Sequence, residues 1–141
     1  MDMTALLLIP LLGTIYLVAA GLAITTNLVT ATGGTAPKYV GWGTGAGAPT
    51  KTSTDLSTPA TEARVSGTIT RQQTTYANDT VRVVGTITAD GTKTITNAAL
   101  FDAAGSGSPP SGGNLYMISD FTGVALQAND QITFTFNMAY T

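Results

Sequence analysis

Between Gln131 and Tyr140 the chain alternates without a break. Ile132, Phe134, Phe136, Met138 and Tyr140 take one side of an extended backbone, and Thr133, Thr135, Asn137 and Ala139 the other. Successive side chains of a strand point to opposite faces, so this pattern demands a core on one side and solvent on the other, as in a half-buried antiparallel strand. Shorter stretches of the same kind precede it. Thr80–Ala89 sets Val81, Val83 and Ile87 on one face with Arg82, Thr86 and Thr88 opposite, and Arg64–Arg71 groups Val65 with Ile69. Thr92–Phe101 and Asn114–Phe121 read as further strands. Asp90-Gly91 tolerates the positive φ angles of a two-residue type I′ turn and predicts a β-hairpin between the segments that flank it. Asn129-Asp130 supplies the turn before the last strand. A succession of short strands in a chain with sixteen glycines and abundant Thr predicts a mainly β fold, an antiparallel β-sandwich or jelly-roll-like barrel with an N-terminal apolar helix or arm.

The chain has 141 residues, enough for one domain with a core of its own. Three spans differ in texture: an apolar N-terminal helix or arm (1–36), a Gly/Pro/Thr-rich extended arm or loop (37–63) and the antiparallel β-domain (64–141). Ala5–Ile24 is almost continuously apolar, interrupted by Pro10, Gly13, Thr14 and Gly21. As a transmembrane helix it lacks flanking Lys or Arg before Lys38, and as a signal peptide it carries Asp2 where a basic residue is expected. As an interfacial helix it places Leu11, Ile15, Val18, Leu22 and Val29 along one face. The expected helix runs from about Leu11 to Thr30, ended by Gly33-Gly34, and its apolar surroundings point to docking on neighbouring subunits. From Gly41 to Thr61 no periodicity survives. A structureless stretch of this length in a small domain suits a loop or arm draped over a partner.

Chemistry is scarce. Cysteine and histidine are both absent, which removes thiolate chemistry, disulfides, imidazole bases and the commonest transition-metal ligands. No Gly-x-Ser-x-Gly elbow occurs, and Asp2, Asp55, Glu62, Asp79, Asp90, Asp102, Asp120 and Asp130 fall mostly at turn-like positions, where Asp satisfies backbone amides. Gly41-Trp42-Gly43-Thr44-Gly45 lacks the following Lys-Ser/Thr of a phosphate loop. Asn78-Asp79-Thr80 fits a glycosylation sequon and an ordinary loop equally well. Net charge is -2, with Lys38, Lys51, Arg64, Arg71, Arg82 and Lys93 scattered singly, so no basic stripe addresses nucleic acid. Charged residues make up only 10% of the chain, too few for a surface devoted to solvation, which points to association. The expectation is a non-enzyme without cofactor or metal. Tyr39, Trp42 and Tyr116 are the aromatic candidates for stacking on sugar, should the domain be a carbohydrate-binding module.

The segment from Gly21 to Thr141 resembles a family of small tailed-bacteriophage virion proteins of the head-decoration or tail-associated kind. The resemblance is distributed. It runs through Pro37-Lys38-Tyr39-Val40-Gly41-Trp42-Gly43-Thr44-Gly45, Glu62-Ala63-Arg64-Val65-Ser66-Gly67-Thr68 and Asn78-Asp79-Thr80 with Val83-Val84-Gly85-Thr86-Ile87-Thr88. It continues through Ile95-Thr96-Asn97-Ala98-Ala99-Leu100-Phe101-Asp102 and Gly113-Asn114-Leu115 to Asp130-Gln131-Ile132-Thr133-Phe134-Thr135-Phe136. It implies a structural protein of the virion without enzymatic activity. The corresponding expectation is a capsid cement protein on the capsid surface, a homotrimer bound to the major capsid protein lattice, with Leu11, Ile15, Val18, Leu22, Tyr39 and Trp42 at the assembly interface. The alternatives are a tail fibre or baseplate adaptor and a membrane-anchored or secreted β-domain.

Overall fold

The computed structural model describes residues 3–7 and 15–140, the first of these spans through its backbone pairing alone. In chain order its elements are β1 (Met3–Leu7), β2 (Ile15–Leu17), α1 (Ala19–Val29), β3 (Tyr39–Gly43), β4 (Val65–Ser66), β5 (Thr68–Gln72), β6 (Thr80–Thr88), β7 (Lys93–Phe101), β8 (Leu115–Leu126) and β9 (Gln131–Tyr140). They form two antiparallel sheets, sheet A in the order β1-β9-β6-β5 and sheet B in the order β2-β8-β7-β3-β4. The sheets pack face to face as a β-sandwich. From β3 onward the chain alternates between pairing within a sheet and crossing to the other: β3 pairs β4, β5 pairs β6, β7 pairs β8, and β9 returns to sheet A.

The core lies between the sheets. Val83 and Ile87 of β6 and Phe134, Phe136 and Met138 of β9 meet Val40, Trp42, Ile95, Leu100 and Tyr116 of sheet B. Trp42 and Phe134 pack edge to face with centroids 6.1 Å apart, a geometry favoured by the ring quadrupoles. Gly85 makes the two sheets fit. A Cβ at that position would stand 2.8 Å from Val40 Cγ2, so the absent side chain is the space that Val40 fills. Sheet B is also covered on its outer face, where Val18, Leu56, Ala99, Phe101, Leu115 and Ile118 form a second apolar cluster. Burial on both faces explains why Ala98-Ala99-Leu100-Phe101 and Leu115-Tyr116-Met117-Ile118 read as unbroken apolar runs.

Four expectations change. The Asp90-Gly91 hairpin is absent: β6 lies in sheet A and β7 in sheet B, and neither Asp90 nor Gly91 has positive φ. The connection is an arch between sheets. It is clasped by the β8–β9 turn, with Ala89 N–H donating to Asp130 O and Asn129 N–H to Ala89 O, both at 2.8 Å. Arg64–Arg71 is likewise divided. β4 belongs to sheet B and β5 to sheet A, and the chain switches at Gly67, where a Cβ would lie 2.7 Å from Val83 Cγ1 and 2.9 Å from Val84 O. Val65 therefore packs on the core, whereas Ile69 is half out, at 38% exposure.

The helix begins at Ala19, eight residues later than Leu11, which lies outside the described residues. Ile15–Leu17 is instead an edge strand on Met117–Ser119 of β8, because its backbone groups find a ladder there and its Ile-Tyr-Leu side chains suit a strand. The Gly41–Thr61 span is not an arm reaching outward. Gly41–Gly43 complete β3, and the following loop folds back on its own domain through Thr44 N–H to Thr58 O, Gly45 N–H to Ser57 O and Ala60 N–H to Trp42 O. Asn97, only 2% exposed, fixes that loop by donating its side-chain amide to Gly45 O and Ser57 O.

Candidate functional site

The six residues assigned to an assembly interface separate into different environments. Val18 and Trp42 are enclosed by the chain itself, at 0% and 2% exposure. Ile15 and Tyr39 are half-buried, Leu22 is 54% exposed on α1, and Leu11 lies outside the described residues. Tyr116 is also enclosed, at 1%. Trp42 and Tyr116 therefore have no face to offer a sugar. Trp42 was placed in the core by sheet B, and its one polar atom, Nε1, donates to Glu62 Oε2 at 3.0 Å.

What the chain does present is α1. Its inner side is fixed by Gly21 and Ile24. Gly21 sits so close to β8 that a Cβ would meet Tyr116 O at 2.2 Å, and Thr25 shares a hydrogen bond of 2.9 Å with the Tyr116 hydroxyl. Burial pushes the Tyr116 phenol up to about 12, against the opposing pull of Thr25, so it stays neutral. The outer side of α1 carries Leu22 and Val29, seven residues apart, with exposures of 54% and 81%, while Leu28, on the side of Gly21 and Ile24, is 44% exposed. No acidic residue lies in its first turn and no basic residue in its last. Beside it opens an apolar groove of about 240 Å³, lined by Leu28 and Val29 together with Pro37, Ile69, Val81 and Tyr140 among others. The groove and the helix form one continuous uncharged surface. Leu28 is absent from the apolar helix face read in the sequence and Ile69 is grouped there with Val65, because the groove they share forms only where α1 meets sheet A.

Two polar clusters show what the rest of the molecule can do chemically. At one end of the sandwich Glu62 accepts hydrogen bonds from Trp42, from Asp90 N–H at 3.0 Å and from Lys93 Nζ, and Lys93 also pairs with Asp90. Burial opposes ionisation of Glu62, yet the donors from Lys93, Trp42 and Asp90 outweigh it and lower its pKa. Burial likewise opposes the charge on Lys93, and the Asp90 and Glu62 carboxylates outweigh it in the other direction. Both groups are thereby held in their charged forms, the state that suits a structural lock and not proton exchange near neutrality. The lock ties the 44–64 loop to β7. Two residues on from Glu62, Arg64 places its Cζ over Phe101, 3.4 Å from the ring centroid, and donates to Ala103 O and Gly112 O.

The second cluster is the β5–β6 loop. Asp79 Oδ1 accepts from Thr74 N–H at 2.8 Å, and Oδ2 accepts from the N–H groups of Thr75 and Tyr76, both at 2.7 Å. The Asn78-Asp79-Thr80 triplet is therefore built into loop geometry, with Asn78 in the left-handed region at φ 62°. The loop presents Tyr76 at 70% exposure. Among the described residues no group of three or more His, Cys, Asp or Glu is arranged to hold a metal ion, and no helix is long and apolar enough to cross a membrane. Comparisons with protein-family models, curated proteins and solved structures returned no match.

Proposed function

We propose that this chain is a non-enzymatic structural protein of a tailed-phage virion, a capsid cement protein that self-associates as a homotrimer and docks on the major capsid protein lattice to stabilise the head. The observation that supports this reading is the uncharged helix α1, with Leu22 and Val29 exposed on its outer side and Leu28 exposed at the apolar groove beside it. Large apolar side chains left exposed on a helix without charge suit burial against another protein. Full burial contributes about 1.5–3 kcal/mol per side chain of this size. Repeated over a shell, contacts of that strength act together, so no one residue need dominate. The sandwich body suits the same role. Its loops are tied down by the Glu62–Lys93 pair, the Arg64–Phe101 stack and Asp79, which leaves a rigid wedge for load between capsomers.

The test is a reconstruction of detergent-free particles combined with a copy count against the major capsid protein. Density for this chain repeated over the icosahedral shell, with particles lacking it bursting sooner on heating, is the expected result. Density confined to the tail transfers the proposal to a fibre or baseplate adaptor, and absence from purified particles sinks both.

A further inference from the structure

The outer face of sheet A differs from the α1 surface in every respect. Arg82 is the one charged residue among the outward positions of β5, β6 and β9, which are otherwise Thr, Gln, Asn, Val and Ala. Its Nε donates to Asn137 Oδ1 at 2.9 Å across the β6–β9 pair, which fixes the plane of the guanidinium. No carboxylate among the described residues lies within ion-pair distance of it. Arg82 and Asn137 line a concavity of about 180 Å³ with Gln72, Gln73, Thr74 and Thr80. The acid of the adjoining loop, Asp79, already accepts the N–H groups of Thr74, Thr75 and Tyr76 and the Thr80 hydroxyl. That arrangement leaves a cation facing a polar hollow with no acid among the described residues of its lining.

A guanidinium so placed presents its terminal N–H pair to an anion, and a planar carboxylate matches that fork in two parallel hydrogen bonds. The remaining walls are side-chain amides and hydroxyls, which both donate and accept, the chemistry that reads vicinal hydroxyl groups. Among the described residues Ala139 is the only aliphatic side chain in the lining, so these walls offer the apolar side chains of a peptide little to fill. Tyr76 stands on the same loop as Gln73 and Thr74, 70% exposed, with its backbone N–H held by Asp79. An exposed tyrosine offers a flat apolar face with a polar tip. We propose that this concavity binds a carboxylate-bearing saccharide, the acid on Arg82, ring hydroxyls on Asn137 and the glutamines, and a neighbouring ring against Tyr76. The site is on the opposite face of β6 and β9 from the α1 groove, whose lining includes Val81 and Met138. It stands independently of the virion reading.

Calorimetric titration of the full chain with trigalacturonate, 3′-sialyllactose, neutral galactotriose and acetate tests it. Saturable binding of an acidic sugar is expected, with affinity reduced about tenfold or more in Arg82→Gln, the usual effect of removing a hydrogen-bonded charge, and severalfold in Tyr76→Ala. Asn137→Asp, which sets a carboxylate against Arg82 without changing bulk, is expected to reduce it by about as much through internal competition for the guanidinium. Should Arg82→Gln fail to fold by circular dichroism, Asn137→Asp carries the comparison. Binding by neither acidic sugar, equal binding of galactotriose, acetate binding as tight as that of the sugar, or unchanged affinity in the folded variants would each overturn the proposal.

Discussion

Asp79 illustrates how much one side chain does in a domain without cysteine. The Tyr76 N–H leads the donors that hold its carboxyl far below the usual carboxylate range; burial works the other way, and the N–H groups of Thr75 and Thr74 and the Thr80 hydroxyl add to the lowering. A folded-state pKa below the unfolded value of about 3.9 has a definite sign. The carboxylate's contribution is complete above about pH 4 and disappears as pH falls through the lower, folded value. Asp79→Asn keeps the shape, loses the charge and exchanges one acceptor oxygen for a donor. The expected outcome is a lower urea midpoint than wild type at pH 7, with the gap between the two narrowing as pH is brought from about 4 toward 2. Urea titrations at both ends of that range check it, and a gap that stays constant would mean that ionisation of Asp79 does not hold the loop.

At the scale of elements, Asp90-Gly91 shows how far local turn chemistry reaches. Neither residue has positive φ, and a Cβ on Gly91 would have nothing within 4 Å. Gly91→Ala is therefore expected to change unfolding free energy by no more than about 0.5 kcal/mol, where a left-handed turn glycine would cost about 1–2 kcal/mol. Chemical denaturation of the single variant distinguishes the arch from a hairpin. The strands themselves were legible where one face is wet: β9 occupies Gln131–Tyr140 as its alternation requires, and β6 buries Val83 and Ile87 while exposing Thr86 and Thr88. Alternation records which side of a strand meets a core but is silent about its hydrogen-bonding partner. That silence concealed both the β6–β7 arch and the break of Arg64–Arg71 at Gly67. The Glu62–Lys93 lock was equally hidden, because its partners are 31 residues apart and meet only through the sandwich. Trp42 drew attention as an aromatic in a Gly-rich stretch and Val18 as one position of an apolar helix face, whereas the domain buries both itself, Trp42 between the sheets against Phe134 and Val18 in the cluster on the outer face of sheet B.

For the whole molecule the decisive asymmetry lies across α1. On its inner side, adding one methyl group at Gly21 drives a Cβ to 2.2 Å from Tyr116 O, so Gly21→Ala is expected to cost about 1–3 kcal/mol through overpacking of the helix against β8. On its outer side, Leu22 and Val29 project into solvent and contribute little to the isolated chain. Leu22→Lys and Val29→Lys together are expected to leave thermal unfolding of the dilute protein within about 0.5 kcal/mol per site. If α1 is the docking face, the same pair also abolishes trimer formation in sedimentation velocity and binding to particles stripped of the protein. Charges buried without partners in such an interface cost far more than the lost apolar contact. The two sets of variants thus separate folding from assembly: Gly21→Ala lowers stability before any partner is added, while the lysine pair acts only when one is present. Lysine variants that still trimerise and still coat the shell would move the docking face away from α1.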